Sequence, residues 1–460
     1  MDALDERLSQ ATLSRLPAAV HRPAYDRDRL RPGILHIGPG AFHRAHQNVF
    51  TEDAMAAAGG DWGVIGVSLR SPALRAALAP QDSLYAVETL GAGVRVVGVM
   101  KQVLFAPERP AEVLAAFADP RIHVVTLTIT EAGYSLSPEG TLDFSHPDIV
   151  RDLAAHTIPA SAIGWLVWGL AARRRSEAGP LTVVSCDNLA GNGSKLAAAI
   201  LAFAERMDPA LARWIEQHAA FPSTMVDCIV PAADAAHRAR VAAALGLEDA
   251  ASVQREAFAA WAIEDRFAGP RPTWERAGAE IVSDVTGHER LKLHVLNGTH
   301  SALAYLGVAR GLKFMRQAVT DPELGAFADA MVAEELAPTL SGLDVAGYWA
   351  KTRARLANPA LDHRLSQIAE DGSVKLAQRI YPILIANARA GRPTARLAAV
   401  IRAWLAAVAE GQAKDVQSAD LFAWQVAGGE LSTALDDPAL FPEPFRAERL
   451  VRAAVLEAGA

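Results

Sequence analysis

The first half of the chain alternates short apolar runs with helical segments rich in alanine and leucine. Several runs are apolar at nearly every position, which is typical of strands covered on both faces. This pattern predicts an α/β domain with a mostly parallel sheet. The predicted strands are "GILHIGP" (33–39), "WGVIGVSL" (62–69), "RVVGVM" (95–100), "HVVTLTIT" (123–130), "LTVVSC" (181–186) and "STMVDCIVP" (223–231).

The pattern changes after about residue 280, where the strand-like runs end and long Ala/Leu/Arg segments follow. Segments such as "ELGAFADAMVAEELAP" (323–338) and "PTARLAAVIRAWLAAVAEG" (393–411) have the spacing of helices, and Pro and Gly separate them as helix stops. We therefore predict two domains, an α/β domain over 1–284 and a mostly α-helical domain over 285–460.

Composition and charge narrow the class of protein. Apolar residues make up 51% of the 460 residues, enough for large cores, and the net charge is −7. This charge argues against nucleic acid or an anionic membrane as the main partner. The run "IGWLVWGLAA" (163–172) is about half the length of a membrane helix, which predicts a buried helix. Only two cysteines, Cys186 and Cys228, and no signal-peptide pattern at the N-terminus predict a cytoplasmic protein.

The segment "GILHIGPGAFHRAHQNVF" places a predicted strand before Gly38 and Gly40 and a predicted helix after them. Glycines at such a turn let the backbone approach a pyrophosphate. However, His43 stands at the third glycine of G-x-G-x-x-G, and the second strand ends at Ser68 and Arg70 without a carboxylate for the ribose. The motif alone therefore fits a dinucleotide-binding turn or an ordinary strand–helix turn, and Arg70 leaves NADP open beside NAD.

Three further side chains follow this turn. Arg44 is placed either to reach a phosphate or to stand as a surface charge at the helix end. His43 and His46 have the spacing of metal ligands on a helix, but no third ligand follows at a clear spacing. We predict no metal site.

The segment "ERLKLHVLNGTHSALAYLG" (289–307) interrupts an apolar helical pattern with Lys292, Asn297 and His300. On an ideal α-helix these residues and Glu289 share one broad face. Burial disfavours the charged form of an amine, and a neutral amine is a usable general base. Asn297 can donate to an oxygen that gains negative charge, and His300 can position a hydroxyl. Alternatively, Lys292 reaches solvent and the other two satisfy a helix junction.

Polar residues also follow the predicted strands. Asn188 in "SCDNLAGNG", Asp227 in "TMVDCIVP" and Glu131 in "TITEAGYSL" stand at or near strand ends. Open α/β sheets bind ligands at the carboxyl ends of their strands. The same residue types also serve in ordinary turns and caps.

Taken together, six ordered segments resemble the long-chain mannitol dehydrogenase family, which includes fructuronate and tagaturonate reductases. The resemblance covers nearly the whole chain. It implies a Rossmann-like N-terminal domain, a mostly α-helical C-terminal domain and metal-independent hydride transfer between a secondary alcohol and NAD(P) in a cleft between them. The segments are "GPGAFHRAHQ", "TLTITEAGYSL", "SCDNLAGNG", "IEDRF" followed by "RPTWERAG", "KLHVLNGTHSALAYLG" and "DGSVKLAQR".

The resemblance also implies roles for individual residues. Lys292 is the expected general acid/base, and Asn188 and Asn297 form the expected oxyanion pocket. His300 and Asp227 are expected to contact the substrate or hold the lysine. Glu289 either relays the released proton or is an ordinary surface carboxylate. The expected cofactor-binding residues are Gly38, Gly40, Ala41, Phe42 and Arg44.

The substrate is expected to be a sugar acid or a polyol. The segments "GAFHRAHQ", "LNGTHSALAYLG" and "HRLSQIAEDGSVKLAQR" are most similar to the fructuronate reductase branch. A uronate requires a cation for its carboxylate, which Arg364, Lys375 or Arg379 would supply; only Lys375 matches a substrate-site position of the family. We predict D-mannonate/D-fructuronate, with a mannitol 2-, arabinitol or sorbitol dehydrogenase as the alternative. The protein is expected to use NAD, with NADP open, as a monomer or homodimer.

Overall fold

The computed structural model describes residues 6–137, 140–154, 158–361, 363–417, 420, 424, 430–438 and 440–457. The chain divides into two compact units, Met1–Thr286 and Gly287–Ala460. The strands of the described residues all lie in the first unit. They are β1 (Pro32–Ile37), β2 (Gly63–Ser68), β3 (Tyr85–Thr89), β4 (Gly93–Val97), β5 (Met100–Phe105), β6 (Val124–Leu127), β7 (Leu181–Ser185), β8 (Ala219–Ala220), β9 (Thr224–Asp227), β10 (Val253–Arg255), β11 (Ala260–Glu264) and β12 (Glu280–Val282).

A six-stranded parallel sheet forms the centre of the first unit, in the order β5-β2-β1-β6-β7-β8. Counted along the chain within this sheet, the order is 3-2-1-4-5-6, which is that of dinucleotide-binding sheets. The order reverses between β1 and β6, and the crevice outside the carboxyl ends of these strands is where such sheets bind ligands. The prediction of an α/β domain with a mostly parallel sheet is confirmed.

Helices cover both faces of this sheet. Successive side chains of a strand point to opposite faces, so Ile34 enters one core and Leu35 the other. This explains why the strands are apolar at nearly every position rather than at alternate ones. The helices are α1 (Ala41–Ala45), α2 (Gln47–Ala58), α3 (Ala73–Leu78), α4 (Pro110–Phe117), α5 (Pro147–Ala154), α6 (Ala162–Ser176), α7 (Asn192–Met207), α8 (Pro209–His218) and α9 (Ala235–Leu245).

Two strand predictions need correction. The predicted strand 95–100 is two strands, because the chain turns at Gly98, where a Cβ would lie 2.6 Å from Pro23 Cγ. Of these two, β4 pairs antiparallel with β3 in a second sheet, whereas β5 joins the main sheet. The predicted strand 223–231 shortens to β9, which pairs antiparallel with β11 in a third sheet rather than with the main one.

The second unit is helical, as predicted. The predicted helix 393–411 is observed as α18 (Ala395–Ala409). The segment 323–338 divides into α13 (Pro322–Ala330), a π-helical turn at Met331–Leu336 and a 3-10 turn at Ala337–Thr339. The helices are α10 (Thr286–Arg290), which starts at the boundary, α11 (Asn297–Ala309), α12 (Met315–Thr320), α13 (Pro322–Ala330), α14 (Val345–Leu356), α15 (Leu365–Ile368), α16 (Gly372–Arg379), α17 (Tyr381–Arg389), α18 (Ala395–Ala409), α19 (Leu431–Ala434), α20 (Glu443–Arg446) and α21 (Arg449–Glu457).

The apolar run 163–172 lies in α6, whose residues are mostly buried within the first unit. Its burial confirms the prediction of a core helix. Across the described part of the chain, no helix combines the length and the apolar character needed to cross a membrane.

Candidate active site

The turn after β1 requires a glycine, because the backbone after β6 approaches it closely. Gly38 has φ +83°, and a Cβ there would lie 2.2 Å from the carbonyl oxygen of Thr128. Its N–H donates to the carbonyl of Val67 at 2.9 Å, which fixes the turn against β2. Gly40 differs, because the nearest atom to its Cβ position is Gly38 O at 3.8 Å. A glycine at 40 therefore keeps open the space that a ligand would fill.

His43 replaces the third glycine of the motif by stacking on a strand residue. Its ring lies 3.3 Å from the ring of His36, centroid to centroid, with an interplanar angle of 5°. The third glycine normally permits close packing of helix and strand, and here two flat rings in face contact achieve that packing. Burial lowers the pKa of His36 to about 3 and that of His43 well below 6.5. Both rings are therefore neutral at physiological pH.

The two histidines with metal-ligand spacing face different partners. His43 stacks on His36, whereas His46 Nε2 lies 2.9 Å from the carbonyl oxygen of Ala260. The described residues hold no cluster of three or more potential metal-binding side chains.

A cavity of about 430 Å³ lies at the crevice where the strand order reverses. Its walls include the turns after β1, β2 and β6. Of the expected cofactor-binding residues, Gly38, Gly40 and Arg44 line it, whereas Ala41 and Phe42 do not. Arg44 also donates to the carbonyl of Pro39 at 2.9 Å and so holds the turn. The lining residues are Gly38, Pro39, Gly40, Arg44, Ser68, Leu69, Arg70, Ser71, Ala73, Leu74, Thr128, Ile129, Gly133, Ser135, Asp148, Ala160, Ser161 and Ala162.

The end of β2 carries a cation rather than a carboxylate. Arg70 lines the cavity and its guanidinium lies 3.7 Å from the carboxylate of Asp148, which comes from α5 on the opposite wall. The Arg70 side chain is 81% exposed, so this ion pair holds it weakly and leaves it available to a ligand.

The three remaining first-unit candidates lie at or shortly after the ends of three strands. Asn188 is exposed on the turn between β7 and α7, and Asp227 is the buried last residue of β9. Glu131 is exposed and opens a 3-10 helix after β6. The placement of Asn188 and Asp227 at strand ends agrees with the sequence prediction.

In the second unit, the arrangement of Lys292 and Asn297 differs from the ideal α-helix assumed from the sequence. Leu291–Leu296 form a π-helical turn, and the N–H of Asn297 donates to the carbonyl of Lys292. Residues five apart would stand about 140° apart on an α-helix, whereas i→i+5 bonding places them in successive turns along one side. π-Helical turns occur frequently at functional sites. The assumed broad face is therefore corrected to a closer alignment of these two residues.

His300 follows one turn later on α11. Its ring centroid lies 4.9 Å from that of His363, and its buried Nε2 has no hydrogen-bond partner within the protein. Burial, reinforced by His363 and Arg379, lowers the pKa of His300 well below 6.5. A neutral ring with an unsatisfied buried nitrogen is suited to a hydrogen bond with a ligand.

Two cations of α16 lie beside this histidine pair. Arg379 donates to Ser301 Oγ at 2.9 Å, and Lys375 Nζ donates to the backbone carbonyls of Ile368 and Glu370. Burial, followed by the charge of Arg379, lowers the pKa of Lys375. Arg364, in contrast, is exposed, with its guanidinium 5.9 Å from the centroid of the Phe314 ring.

Sequence reasoning did not identify His363. Its neighbour Arg364 was selected for its charge, but the backbone directs His363, rather than Arg364, to His300. The position of His363 in the segment "HRLSQIAEDGSVKLAQR" was the only available signal. Glu289, at the end of α10, is half-buried.

Comparison with known proteins supports the same architecture. Residues 32–276 match the family described as mannitol dehydrogenase Rossmann domain, and residues 284–436 match the mannitol dehydrogenase C-terminal domain. An uncharacterized oxidoreductase of Escherichia coli, YeiQ, is 43% identical over 373 residues, which are 79% of this chain and 76% of YeiQ. The D-mannonate oxidoreductase of Escherichia coli is 40% identical over 403 residues, which are 85% of this chain and 82% of that enzyme.

A solved structure has a similar fold over nearly the whole chain. The Pseudomonas fluorescens mannitol 2-dehydrogenase, a ternary complex with NAD and D-mannitol, is 34% identical, with a TM-score of 0.86 and coverage of 98% of this chain and 95% of that one. With two family domains that together span most of the chain, this protein belongs to the mannitol dehydrogenase family and is an oxidoreductase.

Proposed function

We propose that the protein transfers hydride between NAD and a secondary alcohol of a sugar acid, with D-mannonate and D-fructuronate as the substrate pair. The observation that supports this choice is the cationic face of α16 beside His300. Lys375 and Arg379 are four residues apart, and like charges at that spacing repel each other. A carboxylate bound there would relieve the repulsion, whereas a neutral polyol would leave it in place.

The first unit is suited to the dinucleotide. Gly38 is required for the turn, Gly40 leaves the space above it open, and both line the cavity at the strand-order reversal. Arg44 stabilises the turn through its hydrogen bond to the carbonyl of Pro39. The NAD bound to the Pseudomonas fluorescens relative supports NAD as the cofactor of this chain. We assign dinucleotide binding to residues 1–284, together with the substrate-side residues Asn188 and Asp227, and the other sugar-binding and acid/base groups to residues 285–460.

The proposed chemistry uses an amine and two amides. When bound, NAD would supply the nicotinamide group that accepts or returns the hydride of the alcohol carbon. Lys292 takes the hydroxyl proton during oxidation and gives it back during reduction. Asn188 and Asn297 donate to the oxygen that gains negative charge, and His300 donates to or accepts from a neighbouring hydroxyl. Asp227 is assigned to substrate contact. Glu289, half-buried near the lysine in sequence, is assigned the proton relay to solvent.

Arg364 takes a lesser part in this proposal. Its guanidinium is exposed and lies near Phe314, so Lys375 and Arg379 are the better placed partners for the carboxylate. The expected cytoplasmic location and the monomeric or dimeric state stay part of the proposal.

A substrate panel tests the function. We expect the highest kcat/KM with D-fructuronate and NADH among fructuronate, tagaturonate, fructose and the common pentitols and hexitols. In Lys375→Met, the KM for fructuronate should rise about 10- to 100-fold, the loss expected for one charge-assisted hydrogen bond. The kcat/KM for fructose should change far less, since fructose carries no charge.

The exposed Lys313→Met variant is the control for loss of a lysine in the same unit. A mannitol or fructose preference in the panel, with Lys375→Met affecting charged and neutral substrates alike, would establish the polyol alternative. The neutral polyol alternative is favoured by the D-mannitol bound to the Pseudomonas fluorescens relative.

The position of Arg70 predicts that the protein binds NADP with measurable affinity. Its guanidinium stands just after β2, where a 2′-phosphate would lie, and its ion-pair contact with Asp148 is long, at 3.7 Å. We expect Arg70→Ala to weaken NADP+ binding by about 10-fold or more and NAD+ binding by less than about twofold. Asp148→Asn should strengthen NADP+ binding, because it removes a negative charge beside the phosphate.

Titration calorimetry on the substrate-free protein measures these affinities directly. The exposed Arg151→Ala variant, on the same helix as Asp148 but outside the cavity, is the control. Equal losses of affinity for NAD+ and NADP+ in Arg70→Ala would show that Arg70 does not bind the 2′-phosphate.

A further inference from the structure

Buried polar side chains on both sides of Asn188 hold its turn in place by hydrogen bonds. Asn188 itself is exposed, whereas Asp187 before it and Asn192 after it are buried. Neither of these two neighbours lines the cofactor cavity. Their side chains nevertheless form several hydrogen bonds each, with residues of β9 and of the segment after β6.

Asn192 joins the turn after β7 to the start of β9. Its Nδ2 donates to the carbonyl of Asp187 at 3.0 Å and to the carbonyl of Thr224 at 2.9 Å, and its Oδ1 accepts from the Thr224 N–H at 2.9 Å. Thr224 Oγ1 in turn donates to the carbonyl of Ser185 at 2.6 Å. A side chain that donates twice and accepts once at this site must be an amide. The bonds therefore fix the Asn188 turn to the strand that ends in Asp227.

The packing around Asn192 leaves no room for adjustment. Asn192 is 0% exposed, and a Cβ on the next residue, Gly193, would lie 2.6 Å from the backbone of Pro222. The helix start and the segment before β9 are thus in direct backbone contact. A shift of either element moves the other.

Asp187 joins the same turn to the end of β6. Its carboxylate accepts from the N–H groups of Ile129 and Thr130, at 2.9 and 2.8 Å, and from the Tyr134 hydroxyl at 2.7 Å. Thr130 has φ +65°, a strained value for a residue other than glycine that persists only where neighbours enforce it. Ile129 lines the cofactor cavity. One turn therefore links the strand ends of β6, β7 and β9.

We propose that Asn192 is a positioning residue for hydride transfer, which holds Asn188 and Asp227 in the single relative arrangement that the reaction needs. This inference rests on the roles proposed above for Asn188 and Asp227. Its physical basis is the steep dependence of rate on geometry, since a misplacement of about 1 Å reduces turnover by about 10²-fold. Asp187 supports the same turn from the cofactor side.

The test is the isosteric substitution Asn192→Asp. A carboxylate there accepts from Thr224 N–H as before but repels the carbonyl oxygens of Asp187 and Thr224. We expect kcat to fall about 10- to 100-fold at pH 8, while the Kd for NAD+ changes by less than about twofold. As the pH falls towards 5.5, the carboxyl gains a proton and regains one donor, so the ratio of variant to wild-type kcat should rise.

A matched control separates positioning from stability. Asn387 is equally buried, with Nδ2 donating to the carbonyl of Glu335 at 2.7 Å in the second unit. We expect Asn387→Asp to lower Tm by a similar amount without the pH-dependent loss of kcat. If Asn192→Asp loses no more kcat than Asn387→Asp, or its kcat ratio is flat with pH, the positioning role is wrong.

Two further variants keep the outcome decisive. If Asn192→Asp does not fold, Thr224→Val is the second variant, because it removes the hydroxyl hydrogen bond to Ser185 at nearly constant volume. We expect its kcat to fall about 3- to 10-fold while its NAD+ affinity is unchanged. An unchanged kcat would overturn the proposal. Asn188→Ala tests the proposed function separately. A full kcat in Asn188→Ala refutes the oxyanion role, whereas a loss there with normal kcat in Asn192→Asp refutes only the positioning role.

Discussion

Lys292→Ala is expected to reduce kcat by about 10³- to 10⁴-fold in both directions, the upper range for loss of a general acid/base. Oxidation loses the group that takes the hydroxyl proton, and reduction loses the group that donates it. The Kd for NAD+ should change by less than about twofold, because the described residues that line the cavity assigned to the dinucleotide all belong to the first unit. Steady-state rates and calorimetry measure the two effects separately.

Two controls accompany this variant. The exposed Lys351→Ala on α14 removes a lysine from the same unit and should retain full activity. Addition of a small primary amine to Lys292→Ala should restore part of the rate, since the amine can enter the space left by the side chain. A kcat within about tenfold of wild type at every pH would rule out the base assignment.

Asn297→Ala is expected to lower kcat by about 10²- to 10³-fold, as measured for removal of an oxyanion donor, with a smaller effect on KM. The N–H of residue 297 that donates to the Lys292 carbonyl is a backbone group, so an alanine retains the π-helical turn. The variant therefore removes the amide side chain alone. A rise in KM with unchanged kcat would mean that Asn297 binds the substrate without stabilising the transition state.

A double-mutant cycle extends this test to the other amide. If Asn188 and Asn297 donate to the same oxygen, the combined variant should lose less than the product of the two single losses. Asn358→Ala, which removes an amide from the turn after α14, is the control. Fully multiplicative losses would indicate that the two amides act on different groups.

The sequence was most informative where one short segment determines its own conformation. The parallel strands follow from runs that are apolar at nearly every position, and the turn at Gly38 follows from a residue that must adopt positive φ. The functional segments "SCDNLAGNG" and "KLHVLNGTH" were also identified from the residues that interrupt apolar patterns. In each case the signal lies within about ten residues.

The features that sequence reasoning missed depend on distant parts of the chain. The antiparallel pairing of β9 with β11 joins residues 224–227 to residues 260–263, and the apolar character of a strand does not identify the strand with which it pairs. The π-helical turn adds one residue to a single turn, too little to change the apparent period of the segment. His363 contacts His300 only because α11 and the segment before α15 pack together.

The stacked pair His36 and His43 makes the cofactor turn sensitive to acid. Both pKa values are depressed by burial in the folded state, that of His36 from 6.5 to about 3. Above pH 6.5 both histidines are neutral in the folded and in the unfolded chain, so they do not lower the free energy of unfolding. Below pH 6.5 these two histidines are protonated in the unfolded chain but stay neutral in the folded turn. The free energy of unfolding therefore falls as the pH decreases towards 3. A glycine at position 43 would add no proton linkage of its own, so the histidine that replaces the third glycine of this turn adds to the loss of stability in acid.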